Sequence, residues 1–428
     1  MGGRASDRAA ADASSKLSGI SARSVEPSFA LPSERRYDTC PFPAAATMPV
    51  FVHEFFCSGA FDGDLSDSSL AQEGLAMLAA VVADFSQIPG DGSRGRDSVV
   101  TTLDRRLREL PAVSRLEEQA RVHWAASPDH ERCLFSELVR AAQATLVIAP
   151  ETGGLLLERR RRTDAAGGRF LGPAADVLEL CGDKLRFCEH LTRHSLPTLP
   201  TTPFEFSANR SPHSFPIVLK PRDGAGSVNT FLIRDADELA GRQRELAQSF
   251  ADAGQTAIVQ PFLEGRPLSV AAVIGSAGHI EILPVGEQRL SRDGRFGYLG
   301  GRIPAADLEP ELAREAASVV ETACRSLPGL AGWVGFDLLL TRADPRVRIV
   351  EANPRLTTSY CGYRQLTRDN LATRLLSGVA GLPIVWADSA AADASTFTAV
   401  EFDADGDVRP AALRGASIEI DIPSLDVA

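Results

Sequence analysis

Two apolar runs carry acids where a buried strand normally carries hydrocarbon: Trp333-Val-Gly-Phe-Asp337-Leu-Leu-Leu340 and Ile349-Val-Glu351-Ala-Asn353-Pro-Arg355. Side chains alternate along a strand, so Glu351 and Asn353 point to one face while Val350 and Ala352 point to the other. If the 333–341 strand pairs beside 347–352, Asp337 joins that face. Two carboxylates and an amide oxygen form a hard-oxygen patch of the kind that Mg2+ or Mn2+ prefers. Such a site leaves its remaining positions to water and substrate phosphate.

Positive charge is placed to match. Pro216-Ile-Val-Leu-Lys220-Pro221 reads as a strand ending in lysine, which is costly to bury unless it meets a negative charge. Arg222-Asp-Gly224-Ala-Gly226-Ser227-Val-Asn229 follows, and its glycines permit a tight turn whose N–H groups approach phosphate oxygens. Gly182-Asp183-Lys184 opens a helix, with Asp183 as N-cap. The charges then cancel: roughly four negatives on ATP and two acids against roughly six positives from two divalent ions and two lysines. A lysine–phosphate contact at about 4 Å is worth on the order of 4 kcal/mol before desolvation.

The rest of the chain is consistent with an α/β protein of several units. Of 428 residues, 45 are basic and 56 acidic, and the net charge of -11 argues against a nucleic-acid surface. No apolar run approaches membrane-spanning length, and the first residues lack a secretory apolar block. Seven cysteines with no Cys-x-x-Cys argue against a disulfide framework and favour a reducing cytoplasm. P-loop, Gly-x-Gly-x-x-Gly, Gly-x-Ser-x-Gly and kinase signatures are absent.

Residues 1–47, rich in Ala, Ser, Arg and Pro, read as a disordered extension, with folding expected to begin near Met48. Residues 48–175 alternate strand and helix, with strands at 49–56 and 145–149 and a helix at 69–85. The fully apolar 145–149 strand suits a parallel sheet covered on both faces, so Glu151 and Thr152 beyond its end are substrate-site candidates. From 176 to 385, strands are expected at 216–220, 229–233, 256–261, 268–274, 280–285, 333–341 and 347–352. Helices are expected there at 183–194, 235–251, 306–326 and 364–377. Residues 386–428 form an acidic tail containing a hairpin-like stretch, 396–409, that either joins the main sheet or hangs loose.

In this order the pieces resemble the ATP-grasp superfamily of ligases. They are Asp183-Lys184, Val218-Leu-Lys220-Pro221, the glycine loop, Val259-Gln260-Pro261-Phe262-Leu263-Glu264-Gly265, Asp337, and Glu351-Ala-Asn353-Pro-Arg355. The resemblance implies an ATP-grasp fold of α+β lobes, preceded by a parallel-sheet pre-ATP-grasp domain. It implies that Lys184, Lys220, Gly224, Gly226 and Ser227 surround ATP phosphates, that the backbone of Gln260, Pro261, Phe262 and Leu263 meets adenine, and that Asp337, Glu351 and Asn353 hold two ions. Arg266 stands near where many members place a ribose-binding glutamate, which leaves Glu264 for that role.

Within the superfamily, several runs resemble the tyramine–glutamate ligases of methanofuran-type cofactor synthesis. They are Glu73-Gly74-x-x-Met77-Leu78, Ile148-Ala-Pro-Glu151-Thr152, Leu171-Gly172 and Glu351-Ala-Asn-Pro-Arg-Leu-Thr-Thr-Ser-Tyr360 with Gly362-Tyr363. The implied reaction joins the glutamate side-chain carboxylate to an aromatic amine through an acyl phosphate, releasing ADP. Arg302, Arg289 and Arg355 are the candidate clamps for the acyl phosphate and the amino-acid carboxylate. Tyr298, Tyr360 and Tyr363 are candidates to stack on the amine or to lie in the core, and Cys361 is expected to be a small buried hydrophobe. Expected partners are a small carboxylate and an amine, with no nucleic acid and no membrane; a homo-oligomer is left open. Other amino-acid or peptide ligases, and a nucleotide sensor without catalysis, remain as alternatives.

Overall fold

The computed structural model describes residues 48–65, 69–88, 95–208, 211–275, 278–377, 384, 386 and 398–411. The expectations for 1–47 and for most of 386–428 lie outside these residues.

The chain first builds a four-stranded parallel sheet: β1 (Val50–Glu54), β2 (Val99–Asp104), β3 (Arg121–Ala125) and β4 (Ala144–Ile148), in the order β3-β2-β1-β4. Strands β1, β2 and β4 are buried at every position, as expected of a parallel sheet covered by helices on both faces. The helices Ser69–Ser86, Pro111–Gln119, Pro128–Ala141 and Leu155–Ala165 belong to this unit. Glu54 pairs in register with Ile148, so the carboxyl ends of β1 and β4 lie side by side. That edge is where open α/β sheets take ligands.

A small antiparallel sheet follows, made of β5 (Thr202–Phe204), β6 (Ile217–Pro221), β7 (Phe231–Ile233) and β8 (Ala257–Pro261), in the order β5-β8-β6-β7. Helix Ala236–Asp252 covers one face through Leu239, Leu246 and Phe250, which pack with Ile217, Leu219 and Phe231. Alternation then sends Lys220 to the opposite face.

The third sheet takes β9 (Gly265–Ile274), β10 (Ile280–Ile282), β11 (Gly286–Leu290), β12 (Tyr298–Ile303), β13 (Gly332–Thr341), β14 (Val347–Asn353), β15 (Val400–Asp403) and β16 (Val408–Pro410). Its order is β14-β13-β9-β11-β12-β15-β16, with β10 on the free end of β9. Helix Pro310–Arg325 buries Ala316, Val320 and Ala323 in the core beneath it.

The hairpin expected near the C-terminus joins this sheet, because β15 pairs with β12. The β11–β12 hairpin was not expected. Its segments, Gly286-Glu-Gln-Arg-Leu and Tyr-Leu-Gly-Gly-Arg-Ile, lack apolar alternation because one face meets a cavity rather than a core. Gly300 has φ +111°, and a Cβ there would collide with the Phe402 carbonyl oxygen, so glycine is what lets β15 approach β12. Strands β2, β3 and β5 were also not anticipated. Of the helix expected over 364–377 only Leu371–Ser377 forms, opened by Asn370 Oδ1 accepting the Thr373 N–H at 3.2 Å, and a short helix not anticipated, Ser359–Tyr363, precedes that range.

Candidate active site

A cavity of about 1160 Å3 lies where the three sheets meet, lined by residues of all three. Its two basic side chains arrive by different routes. Asp183 caps helix Lys184–Arg193 by accepting the Arg186 N–H at 3.1 Å and holds Arg222 through two bonds of 2.8 and 2.6 Å. That anchor fixes Lys184 at the helix start. Lys184 Nζ lies 3.0 Å from Glu351 Oε2 and donates to the Gly224 carbonyl at 2.7 Å.

Lys220, only 7 % exposed on β6, has no ion-pair partner among the described residues. Burial pulls its pKa down to about 8, with the nearby Lys184 charge adding to the effect and Glu351 opposing it. A buried ammonium without a counter-ion at a cavity wall fits an anionic ligand.

The acidic patch forms as strand alternation requires. Across β13 and β14, Asp337 is opposite Glu351 and Gly335 is opposite Asn353, so the three oxygen-bearing side chains share one face. The register slips between Asp337 and Leu338, a bulge of the kind that re-aims side chains at sites. Asn353 Nδ2 donates to Asp337 Oδ2 at 3.3 Å, and Gln288 Nε2 of β11 donates to Asp337 Oδ1 at 2.7 Å.

Burial and the facing Glu351 charge push the Asp337 carboxyl up. For Glu351, burial is outweighed by the Lys184 and Lys220 charges, which hold its carboxyl low. Asp337 is met by two neutral amide donors rather than a cation, and the donor set of the two facing carboxylates suits a hard divalent ion. Among the described residues no group of three or more His, Cys, Asp or Glu is placed to hold a metal by itself. An ion here would therefore complete its shell with water and phosphate oxygens.

The glycine loop runs beside the lysines. Gly226 and Ser227 both have positive φ, at 64° and 58°, and Ser227 Oγ donates to the Phe296 carbonyl at 2.8 Å. Gly224, Gly226, Ser227, Gln260, Pro261, Phe262, Leu263 and Glu264 all line the cavity. Gln260 Nε2 donates to Thr201 Oγ1 at 2.8 Å, and Phe262 N–H donates to the Pro216 carbonyl at 2.9 Å, so the connection from β8 to β9 is tied to the small sheet. Glu264 is half exposed, with Arg342 at 3.7 Å.

The three candidate arginines also line the cavity, and each has a protein partner. Arg355 Nε lies 3.1 Å from Glu151 of the β4 loop, so Glu151 backs a cavity residue, but neither Glu151 nor Thr152 lines the cavity itself. Arg302 lies 3.6 Å from Glu401 of β15. Arg289 donates to Asp403 and, at 3.0 Å, to the Phe402 carbonyl, so its guanidinium is committed to the C-terminal hairpin.

Tyr360 and Tyr363 are both fully buried. Tyr360 Oη donates to Asp84 at 2.6 Å and Tyr363 Oη to the Pro284 carbonyl at 2.7 Å, which makes both core residues, not a stacking wall. Tyr298 does line the cavity. Cys361 is buried, as expected of a small hydrophobe.

Sequence reasoning did not single out Gln288 or Glu54. Gln288 sits in a run without strand periodicity. Glu54 ends an apolar strand, the same signal that drew attention to Lys220.

Residues 98–177 match the pre-ATP-grasp 3 domain family and residues 181–359 the ATP-grasp domain family. The chain is 27 % identical over 232 residues to a tyramine–L-glutamate ligase of Methanocaldococcus fervens, covering 54 % of this chain and 64 % of that protein. It is 24 % identical over 263 residues to biotin carboxylase of Haemophilus influenzae, covering 58 % and 57 %. The matches thus span about three fifths of the length of these curated relatives. Among solved structures, an ATP-grasp superfamily protein from Archaeoglobus fulgidus aligns with TM-score 0.56 at 21 % identity, over 79 % of this chain and 90 % of that one. A biotin carboxylase–β,γ-ATP complex from Campylobacter jejuni aligns with TM-score 0.61 at 15 % identity, over 80 % and 74 %. With both domain types in sequence order and the fold of these structures, the chain belongs to the ATP-grasp superfamily.

Proposed function

We propose that this protein is an ADP-forming carboxylate–amine ligase, joining the side-chain carboxylate of glutamate to tyramine or a similar aromatic amine. The observation that carries the reading is the convergence of Lys184 and Lys220 on the Asp337/Glu351/Asn353 face: Lys184 lies 3.0 Å from Glu351, and both lysines line the same cavity as all three oxygen donors. Similarity to the tyramine–L-glutamate ligases of two Methanocaldococcus species supports the choice of substrates.

In this reading Lys184 and Lys220 hold ATP phosphates, with the backbone of the loop at Gly224, Gly226 and Ser227 closing over them. Residues 260–263 meet adenine, and Glu264 takes the ribose. Asp337, Glu351 and Asn353 hold one or two Mg2+ or Mn2+ ions, which when bound neutralise phosphate charge. Arg302 and Arg355 orient the carboxylate and the acyl phosphate through their guanidinium forks.

A neutral amine does not usefully attack a carboxylate anion. The carboxylate therefore first takes the γ-phosphoryl group, releasing ADP, and the amine then displaces phosphate. The chain's contribution is positioning and fixed charge. The six described cysteines are all free, which suits work in a reducing cytoplasm.

The test is product release with glutamate, ATP and a panel of amines. ADP and phosphate should form only when carboxylate and amine are both present, and hydroxylamine should trap an acyl hydroxamate. Release of AMP would contradict the proposal.

A further inference from the structure

Four acids are buried among the described residues: Glu54, Asp84, Asp104 and Glu131. Three of them have a guanidinium within ion-pair distance. Asp84 lies 2.6 Å from Arg364, Asp104 2.7 Å from Arg106, and Glu131 2.9 Å from Arg159. Glu54, 2 % exposed, has no cationic partner among the described residues. Its Oε2 accepts the Cys57 N–H at 2.7 Å, which fixes the orientation of the carboxylate without neutralising it.

Buried carboxylates are normally paired, because the cost of removing the charge from water is otherwise unmet. The wall that Glu54 occupies is that of the active-site cavity. A second acid lies on the same wall: Glu73, on helix Ser69–Ser86, accepts a hydrogen bond from Thr358 Oγ1. Burial raises the Glu54 carboxyl to about 7, and the Glu73 charge adds to that. Burial raises Glu73 as well, against the pull of Thr358 and the Arg355 charge. Glu54 therefore lacks a positive partner, and the Arg355 charge that reaches Glu73 is already paired with Glu151 at 3.1 Å.

The position of Glu54 is built into the fold. A Cβ at Gly74, on the facing helix, would overlap its carboxylate, so glycine there leaves the space it fills. Around the two acids the wall is apolar, supplied by Phe56, Leu70 and Met77.

We propose that Glu54, with Glu73 beside it, receives the ammonium group of the amine substrate, and that the apolar body of that amine lies against Phe56, Leu70 and Met77. The inference rests on the ligase reading above and specifies the substrate class of the same site: a primary amine with an apolar or aromatic body and no carboxylate next to the nitrogen. A carboxylate at that position would face Glu54 and Glu73, with Arg355 already paired to Glu151. The matched ATP-grasp domain, residues 181–359, does not include either acid.

The test is calorimetric binding to the full chain of tyramine, 2-phenylethylamine and hexylamine, with tyrosol (the uncharged alcohol of tyramine) and tyrosine as controls. It compares wild type with Glu54→Gln and Glu73→Gln, using ADP affinity as the control for an intact fold. At least one amine should bind the wild type, tyrosol and tyrosine should bind far more weakly, and each variant should weaken amine binding by about tenfold or more while ADP affinity holds. Equal amine affinity in wild type and both variants would overturn the proposal, as would tyrosol or tyrosine binding as well as tyramine, or no amine binding the wild type. Because this readout needs no turnover, it is separate from the ligase reading. Amine binding that depends on Glu54, without amine-dependent ADP release, would keep the subsite and sink the ligase.

Discussion

Asp337 and Glu351 face one another across β13 and β14 at the point where the register of that strand pair slips. Lys184 reaches Glu351 at 3.0 Å, while Gln288 and Asn353 donate to Asp337. The two carboxylates thus have different surroundings: Glu351 is held charged by lysines, and Asp337 is pushed toward its neutral form by burial and by Glu351.

That asymmetry separates two conservative substitutions. Asp337→Asn and Glu351→Gln should each lower turnover by about a hundredfold or more, since both remove charge from the phosphate face. Their effects on the ligand-free protein should differ. Asp337→Asn relieves repulsion and should keep or raise the melting temperature, whereas Glu351→Gln strips Lys184 of its partner and should lower it. Thermal unfolding beside steady-state rates checks both. Near-normal turnover in either variant would remove the ion-holding assignment.

Lys220 makes nucleotide affinity depend on pH. Its free-state pKa is about 8, below the ordinary lysine value, because it is buried. Bound phosphate requires the charged form and raises that pKa, so binding takes up a proton once pH exceeds the free-state value. ADP affinity should therefore be level near pH 7 and fall progressively above about pH 8. Lys220→Met should weaken ADP binding by at least about tenfold and abolish that fall. Calorimetry across the pH range measures both, and an unchanged affinity in the variant would count against the phosphate role.

Glu151 and Arg355 tie the parallel-sheet unit to the strand carrying the ion-binding face. The pair is 3.1 Å apart, with side chains 7 % and 15 % exposed. Glu151→Ala leaves a nearly buried guanidinium unpaired, which should cost about 3 kcal/mol in denaturant unfolding. Loss of less than about 1 kcal/mol would mean that Arg355 re-pairs or is solvated.

The C-terminal hairpin presents Glu401 to Arg302 and Asp403 to Arg289. Replacing both acids by alanine releases two guanidinium groups at the cavity wall. The KM for the carboxylate substrate should rise several-fold while the KM for ATP stays within about twofold, a shift of at most ~0.4 kcal/mol. Equal changes in both constants would point to general disorder of the sheet instead.

The chemistry of the nucleotide half was legible because buried charge is conspicuous. Asp337, Glu351 and Lys220 interrupt apolar strands, and alternation alone predicts which neighbours share their face. The wall that carries Glu54 and Glu73 was less legible. Glu54 comes from β1 and Glu73 from a helix, and no local spacing links them. The β11–β12 hairpin escaped notice because its polar and glycine residues face a cavity, so the apolar period that marks a strand is missing. Tyr360 and Tyr363 misled for the opposite reason: an aromatic side chain with a hydroxyl suits a binding wall and a hydrogen-bonded core equally well.

The central claim is that ATP activates a carboxylate by phosphorylating it within this cleft. Glutamate labelled with 18O in its side-chain carboxylate, turned over with ATP and an amine, should pass one labelled oxygen to inorganic phosphate in each cycle, with the other retained in the amide. Phosphate free of label, or label appearing in AMP, would contradict the account.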